Sequence, residues 1–344
     1  MYIPDEENEI FNIAAKFIRQ SNHPVFLTGK AGTGKTTFLK HIRQLNIKNT
    51  VIVAPTGVAA MNAGGTTIHS FFSLPLSPFI PVRQQGFQQS DTIDKNSLLA
   101  KLKLNKEKIE IMQQLELLII DEVSMVRCDV MDAIDTVLRH VRSQYSKPFG
   151  GVQVLYIGDM YQLPPVIKTE EWQILSNYYS NPFFFNSQVC IENPPVYIEL
   201  KKVYRQSDEA FISLLNKVRN NEMDEDGFQL LHSRYHTSIN QEKANKENII
   251  TLTTHNLKAD AINETTLHSL PGKEYNFKAI VEGEFYEKNY PAEENLKLKT
   301  GAQVMFLKND IEKTRRYFNG KIGVVGFLSN EKIEVVCNNG NEKI

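Results

Sequence analysis

The chain has 344 residues, 41% hydrophobic and 23% charged, a length and make-up that suit two or three globular domains and exclude a disordered, collagen-like or coiled-coil chain. With 39 Lys and Arg against 40 Asp and Glu, a polyanion-binding surface spread over the whole molecule is excluded, so positive potential has to be local or contacts have to come from amides and hydroxyls. No apolar run reaches the ~18 residues of a membrane helix, MYIPDEENEI is acidic where an export signal is basic, and three cysteines without a CxxC pair point to a reducing cytoplasm rather than to disulfides or structural zinc.

Along the chain, short apolar strands alternate with amphipathic helices. Strands are expected at Val25–Thr28, Val51–Ala54, Leu117–Ile120 and Val152–Ile157. This rhythm predicts a parallel sheet covered on both faces, with ligands beyond the carboxyl ends of its strands. Residues 71–114 interrupt it. FFSLPLSPFIPVRQQGFQQ, rich in Pro, Phe and Gln, reads as an insertion at about 73–92, ahead of a Lys/Leu-rich helical pattern. Between the last two strands, Val130, Ile134, Val137, Leu138 and Val141 share one face of a helix over about Asp129–Arg142. A domain boundary is expected between 188 and 189. Beyond it Ser207 reads as the N-cap of a helix with Asp208 and Glu209 in its first turn and Phe211, Leu214, Leu215 and Val218 facing a core. From about residue 291, GAQVMFL, GVVGFL and KIEVV read as strands of a small β module. The sequence closes on a strand, Lys332–Val336, an Asn338-Asn339-Gly340 turn and a barely begun return strand. Chains seldom stop on a half-paired edge, which leads to the expectation that this is a fragment.

Three motifs carry chemistry. Gly29 to Thr36, GKAGTGKT, matches G-x-x-x-x-G-K-[ST] between a strand and a helix. Its glycines let backbone amides turn around a triphosphate, and the helix N-terminus adds positive dipole. Gly32, Thr33, Gly34, Lys35, Thr36 and Thr37 are the candidate phosphate contacts, with Lys35 on the β- and γ-phosphates and the Thr36 hydroxyl on Mg²⁺. LELLIIDEVSM puts two carboxylates at the tip of a buried strand. Asp121 suits Mg²⁺ through water, and Glu122 suits general-base duty on the attacking water. GDMYQLPPV follows another buried strand, and its Gln162 is positioned to sense the γ-phosphate and orient water. Together these read as a nucleoside triphosphatase.

GKAGTGKTT, APTGVAAMNAGGTTIHSFF, LLIIDEVSM, PFGGVQVLYIGDMYQLPPV and VYRQSD, in this order, resemble the PIF family of DNA helicases, superfamily 1 motors that move 5′ to 3′ on single-stranded DNA. The resemblance runs from about Phe26 to Phe327. It implies an α/β fold of two RecA-like P-loop domains: a first over 1–188 with a small wedge insertion, the first part of a second over 189–290, and the start of an inserted SH3-like β module over 291–344. It implies ATP and Mg²⁺ as cofactors, single-stranded and forked or structured DNA as partners, no membrane, and action as a monomer. Thr56, Gly57, Thr67, His69 and Phe72 match DNA-contacting motifs of the first domain. Hydroxyls and close-approaching amides there suit phosphates, and His69 and Phe72 suit base stacking, at ~1–3 kcal/mol per base. Phe71 and Phe72 equally fit core aromatics, and His69 a structural histidine.

Arg205 resembles the arginine finger that the second domain offers to the nucleotide, so Lys35, Glu122, Gln162 and Arg205 form the implied catalytic set. Thr254 and Asn256 resemble the second domain's grip on the DNA backbone, in a strand–loop–helix. Lys308, Lys313, Arg315, Arg316 and Lys321 form a local basic cluster. The family's later T-x-H-x-S-Q-G-type and A-L-S-R-type motifs are absent, as is the N-terminal glutamine that reads adenine. Two other readings stay open: a fragment that binds nucleotide and DNA with little unwinding of its own, and a P-loop switch ATPase without nucleic acid.

Overall fold

The computed structural model describes residues 8–30, 32–81, 92–202, 209–235, 250–280, 292–307, 310, 316–317, 320–337 and 342–344. They belong to two units, Met1–His232 and Ser233–Ile344.

In the first unit α1 (Glu9–Gln20) starts behind Asn8, whose side chain accepts from the Phe11 amide at 3.2 Å, and it buries Phe11, Ala14, Ala15 and Ile18 at helical spacing. Three strand–helix pairs follow: β1 (Val25–Gly29) with α2 (Lys35–Leu45), β2 (Thr50–Ala54) with α3 (Gly57–Ala63), and β3 (Thr66–Thr67) with α4 (Ile68–Phe72). Next come β4 (Phe79–Ile80), β5 (Ile93–Asp94), α5 (Lys95–Lys101) and α6 (Lys106–Gln114). The central run is β6 (Leu117–Ile120), α7 (Cys128–Val141) and β7 (Gln153–Ile157). The unit closes with α8 (Thr169–Leu175), α9 (Gln188–Glu192), β8 (Val196–Leu200), α10 (Glu209–Asn220) and α11 (Glu225–His232).

Six strands form one parallel sheet in the order β3-β2-β6-β7-β1-β8. The two-residue period of a strand explains its two cores. Leu118, Ile120, Val154 and Tyr156 point into a core under α4, α5 and α7. Leu117, Ile119, Leu155 and Ile157 point the other way, into a core with α1 and α2, where Phe11 meets Phe38 edge-on at 4.9 Å. Burial on both faces is why these strands read as continuous apolar runs.

One expectation changes here. The boundary between 188 and 189 is too early for the sheet, because Val196–Leu200 pairs in parallel with β1 over five residues. The insertion at about 73–92 is also tied into the first unit's core at both of its ends. Leu74, Phe79 and Ile93 are core residues, β4 and β5 pair in parallel, and the Phe79 amide donates to Asp129 at 3.0 Å. Residues 82–91 of that insertion, Ser207, Asp208 and the turn at 338–340 lie outside the described residues.

PFGG, which opens the PFGGVQVLYIGDMYQLPPV stretch of the resemblance, is a structural device. Phe149 is buried with a left-handed φ of 51°, and its amide donates to Asp135 of α7 at 2.6 Å. A Cβ on Gly150 would lie 2.7 Å from the Leu138 carbonyl oxygen, so glycine is required where this turn meets the end of α7.

The second unit holds α12 (Asn256–Ser269), an antiparallel pair of β9 (Tyr275–Lys278) with β10 (Asn295–Leu298), and a four-stranded antiparallel sheet. That sheet runs β11 (Gln303–Met305), β12 (Ile322–Leu328), β13 (Ile333–Cys337), β14 (Glu342–Lys343). Leu267 and Leu270, at the end of α12 and just past it, share one core with Leu298, Val325 and Leu328, so residues on both sides of 290 pack together. Lys299 fastens this join by donating to the His268 and Leu270 carbonyls at 3.2 and 3.0 Å.

Candidate active site

Strand β1 delivers the phosphate loop. Gly32 and Gly34 take left-handed φ values of 82° and 92°, which only glycine adopts without strain, and Gly34 caps α2. Gly29 packs so tightly that a Cβ would sit 2.6 Å from the Leu200 carbonyl oxygen of β8. Thr33 is buried and donates from its hydroxyl to the Lys30 carbonyl at 2.9 Å. Lys35 folds back over the loop, donating to the Gly29 and Lys30 carbonyls at 2.6 and 3.2 Å. Burial pushes its ammonium below the usual lysine value, against the pull of Asp159, Glu122 and Asp121. A polyphosphate entering the loop would supply the negative charge this half-buried cation lacks. Thr36 and Thr37 occupy the first turn of α2.

The neighbouring strands bring the carboxylates. Asp121 directly follows β6, and its carboxyl is pushed up to about 6, first by burial and then by Glu122 beside it. Glu122 adopts φ 50°, an uncommon conformation for a non-glycine residue. Close approach of the β6 and β7 ends depends on Gly158, where a Cβ would lie 3.0 Å from Val123. Immediately after it, Asp159 is 1% exposed. It accepts from the Tyr161 amide at 3.2 Å, from the Gln162 side-chain amide at 3.3 Å, and from Arg219 of α10 at 3.1 and 3.2 Å. Burial raises the Asp159 carboxyl, but these hydrogen bonds and the Arg219 charge outweigh it and hold it below the usual carboxylate value.

The residues therefore fit Mg²⁺ and a nucleoside triphosphate. Asp121 is a half-buried carboxyl with no cation bonded to it among the described residues, the donor set of Thr36 and Asp121 is all oxygen, as Mg²⁺ prefers, and the loop is shaped by glycines no other residue replaces. Asp159 and Arg219 were missed as individual site residues from sequence. Asp159 stood inside the quoted GDMYQLPPV, while Arg219 sits in KVRN as one more charge on an amphipathic helix, with no local signal.

The nucleic-acid candidates of this unit lie on the same sheet edge, beyond β2 and β3. Thr56 caps α3 by accepting from the Ala59 amide at 3.2 Å, and Thr67 caps α4 by accepting from the Ser70 amide at 3.3 Å. In both caps the hydroxyl oxygen is the acceptor, and Gly57 opens α3. His69 lines a cavity of about 300 Å³ with Thr56, Ile68 and Arg127. Burial first, then the Arg127 charge, pushes its imidazole below the usual histidine value, so it presents a neutral ring at neutral pH. Phe72 is a correction: it is 0% exposed and packs edge-on against Phe71 at 4.8 Å, leaving no face for a base.

In the second unit, the strand expected before Thr254 does not form: residues 251–255 carry none, and only the helix beginning at Asn256 does. Thr254 shares a 2.8 Å hydrogen bond with the His255 ring, and both Thr254 and Asn256 are exposed. The basic cluster is also corrected at Lys321, which is 9% exposed and pairs with Glu342 at 2.7 Å. Arg205, Lys308, Lys313 and Arg315 lie outside the described residues. No helix among the described residues is long and apolar enough to cross a membrane.

Comparison with known proteins agrees with this geometry. The family model for PIF1-like helicases matches residues 2–228. The human ATP-dependent DNA helicase PIF1 is 37% identical over 315 residues, which cover 88% of this chain and 43% of that protein. The ATP-dependent DNA helicase RRM3 of Saccharomyces cerevisiae is 32% identical over 347 residues, 96% of this chain and 43% of that protein. The chain thus spans less than half the length of these relatives. Among solved structures, a Bacteroides Pif1 bound to single-stranded DNA superimposes with a TM-score of 0.80 at 38% identity, over 98% of this chain and 72% of that one. The Candida albicans Pif1 helicase does so with a TM-score of 0.73 at 27% identity, over 100% and 78%. With the phosphate loop, the paired carboxylates and the GDMYQ turn on one parallel sheet, the chain belongs to the PIF1-like helicase family.

Proposed function

We propose that this chain carries the motor of an ATP-dependent DNA helicase that moves 5′ to 3′ on single-stranded DNA and separates forked or structured duplexes. One observation carries the reading. The sheet order β3-β2-β6-β7-β1-β8 sets the nucleotide residues at the carboxyl ends of β6, β7 and β1 and the DNA candidates at the ends of the adjoining β2 and β3. Fuel and track would then meet one edge of the sheet, which would give a change at the γ-phosphate a short path to the DNA grip.

Lys35 would hold the β- and γ-phosphates, and Thr36 and Asp121 would hold Mg²⁺. The bound ion neutralises charge on the phosphates. Glu122 would take the proton of the attacking water while Gln162 orients that water. Arg205 would act as the arginine finger, stabilising charge on the transferred phosphoryl. Thr56, Gly57, Thr67 and His69 would contact DNA from the first unit, and Thr254 and Asn256 would be the DNA contacts of the second. The motor would act as a monomer in a reducing cytoplasm, where the buried free thiols of Cys128, Cys190 and Cys337 stay unpaired. Each separated pair costs ~1.4 kcal/mol of stacking on average, small enough for stepwise movement.

The test is steady-state ATP hydrolysis with and without an unstructured oligonucleotide, beside unwinding of duplexes with a 5′ or a 3′ tail. Hydrolysis should rise at least tenfold with DNA, and Lys35→Ala should remove it. Turnover indifferent to DNA would sink the motor. A second reading, a fragment that binds nucleotide and DNA but unwinds poorly, is favoured by the 43% coverage of the human relative. Strong DNA-stimulated hydrolysis without strand separation would select it.

A further inference from the structure

Arg219 reaches the phosphate site from α10, some sixty positions in sequence beyond the turn it contacts. Its guanidinium meets Asp159 as a fork, Nη2 to Oδ1 at 3.1 Å and Nε to Oδ2 at 3.2 Å, and it lies 4.2 Å from the centre of the Tyr161 ring. The pair is sheltered, with side-chain exposures of 17% and 2%. Asp159 also accepts from the Gln162 side-chain amide at 3.3 Å.

The consequences follow from charge. Asp159 is the strongest single charge acting on Lys35, and Arg219 acts on Lys35 with the opposite sign. A buried carboxylate seeks the nearest cation. With Arg219 in place, Asp159 is satisfied and Lys35 stays on the loop carbonyls, ready for phosphate. Without it, Lys35, on which the Asp159 charge already acts, would be drawn to Asp159, and a Lys35–Asp159 pair would compete directly with nucleotide. Gln162 would also lose the fixed acceptor that turns its amide.

We propose that Arg219 is a positioning residue of the phosphate site: by pairing with Asp159 and packing on Tyr161, it keeps Lys35 available to nucleotide and holds the Gln162 side chain in place. This rests on the nucleotide reading above and extends it, because it makes α10 a reporter of the phosphate site. Lysine cannot substitute fully, since it lacks both the fork and the flat face that lies on Tyr161.

The experiment is a binding titration of the 344-residue chain with a fluorescent ATP analogue and Mg²⁺, alongside DNA-stimulated hydrolysis, for the parent, Arg219→Gln, Arg219→Lys, Asp159→Asn and the Arg219→Gln/Asp159→Asn double variant. Arg219→Gln should weaken nucleotide binding about tenfold, as expected for a coupled pair, and lower kcat. In the double variant the carboxylate that captures Lys35 is gone, so binding should return to within about threefold of the parent while kcat stays low. Unchanged binding in Arg219→Gln, or a double variant as weak as the single, would overturn the proposal. Thermal melting accompanies each variant. Should Arg219→Gln fail to fold, Arg219→Lys carries the test, with a smaller loss of binding and of kcat expected and parental values in both overturning it. A parent chain that binds no nucleotide at all would instead overturn the reading of the site, which the Arg219 variants do not decide.

Discussion

Asp121 is a carboxyl that its surroundings resist charging. Its folded-state value of about 6 stands above the ordinary 3.8. Between those two pH values the folded chain therefore holds more protons than the unfolded one, and stability falls as pH rises across the window. Above about pH 6 the whole penalty is present, at most about 3 kcal/mol. Asp121→Asn should thus raise the melting temperature at pH 7.5, by up to ~2 kcal/mol of stability, with the gain fading as pH drops below the window. ATP hydrolysis by that variant should be lost. A melting curve of Asp121→Asn that matches the parent at pH 7.5 would contradict this. The same scale shows what a single position reveals. Lys35 and Asp121 were legible because their motifs encode local geometry. Phe72 was not assignable, because a Phe at the end of a five-residue helix fits a core and a stacking platform equally well.

At the scale of elements, short segments work by being pinned. The two-residue β3 lies against β2 only because Gly65 has no side chain, since a Cβ there would overlap the Ile52 backbone carbonyl. Gly65→Ala should push β3 outward, carry Thr67 with it, and weaken single-stranded DNA binding several-fold. Nucleotide binding at Lys35 should be unchanged, because β1 lies on the far side of β6 and β7. Fluorescence polarisation with a labelled oligonucleotide and a parallel nucleotide titration check both halves. Helix α7 illustrates a different kind of pinning. Asp132 is buried on it, accepts from the Tyr179 hydroxyl at 2.8 Å and from the Gln188 and Val189 amides at 3.0 Å, and so fastens the start of α9. The helix itself was predicted to within one residue at each end, from its apolar face alone. Its polar fastening was not, because each partner lies more than forty residues away.

At the scale of the molecule, the chain matches less than half the length of its human relative, and several apolar residues around α12 are open to solvent. Leu252 is 93% exposed, Leu257 85% and Ile280 90%. A version extended at its C-terminus to the length of the relatives should unwind a 5′-tailed duplex at least tenfold faster than this chain, while their DNA-stimulated hydrolysis differs less. Equal unwinding rates would show the present chain to be a complete motor. What the sequence by itself determined was the parallel sheet, the phosphate loop, the carboxylate pair and the family, because strand burial and glycine-dependent turns are set by neighbouring residues. Tertiary structure alone decided that β8 belongs to the first sheet, that Phe72 is core, and that Arg219 of α10 holds Asp159, because each depends on packing between segments far apart in the chain, where no local pattern records the contact.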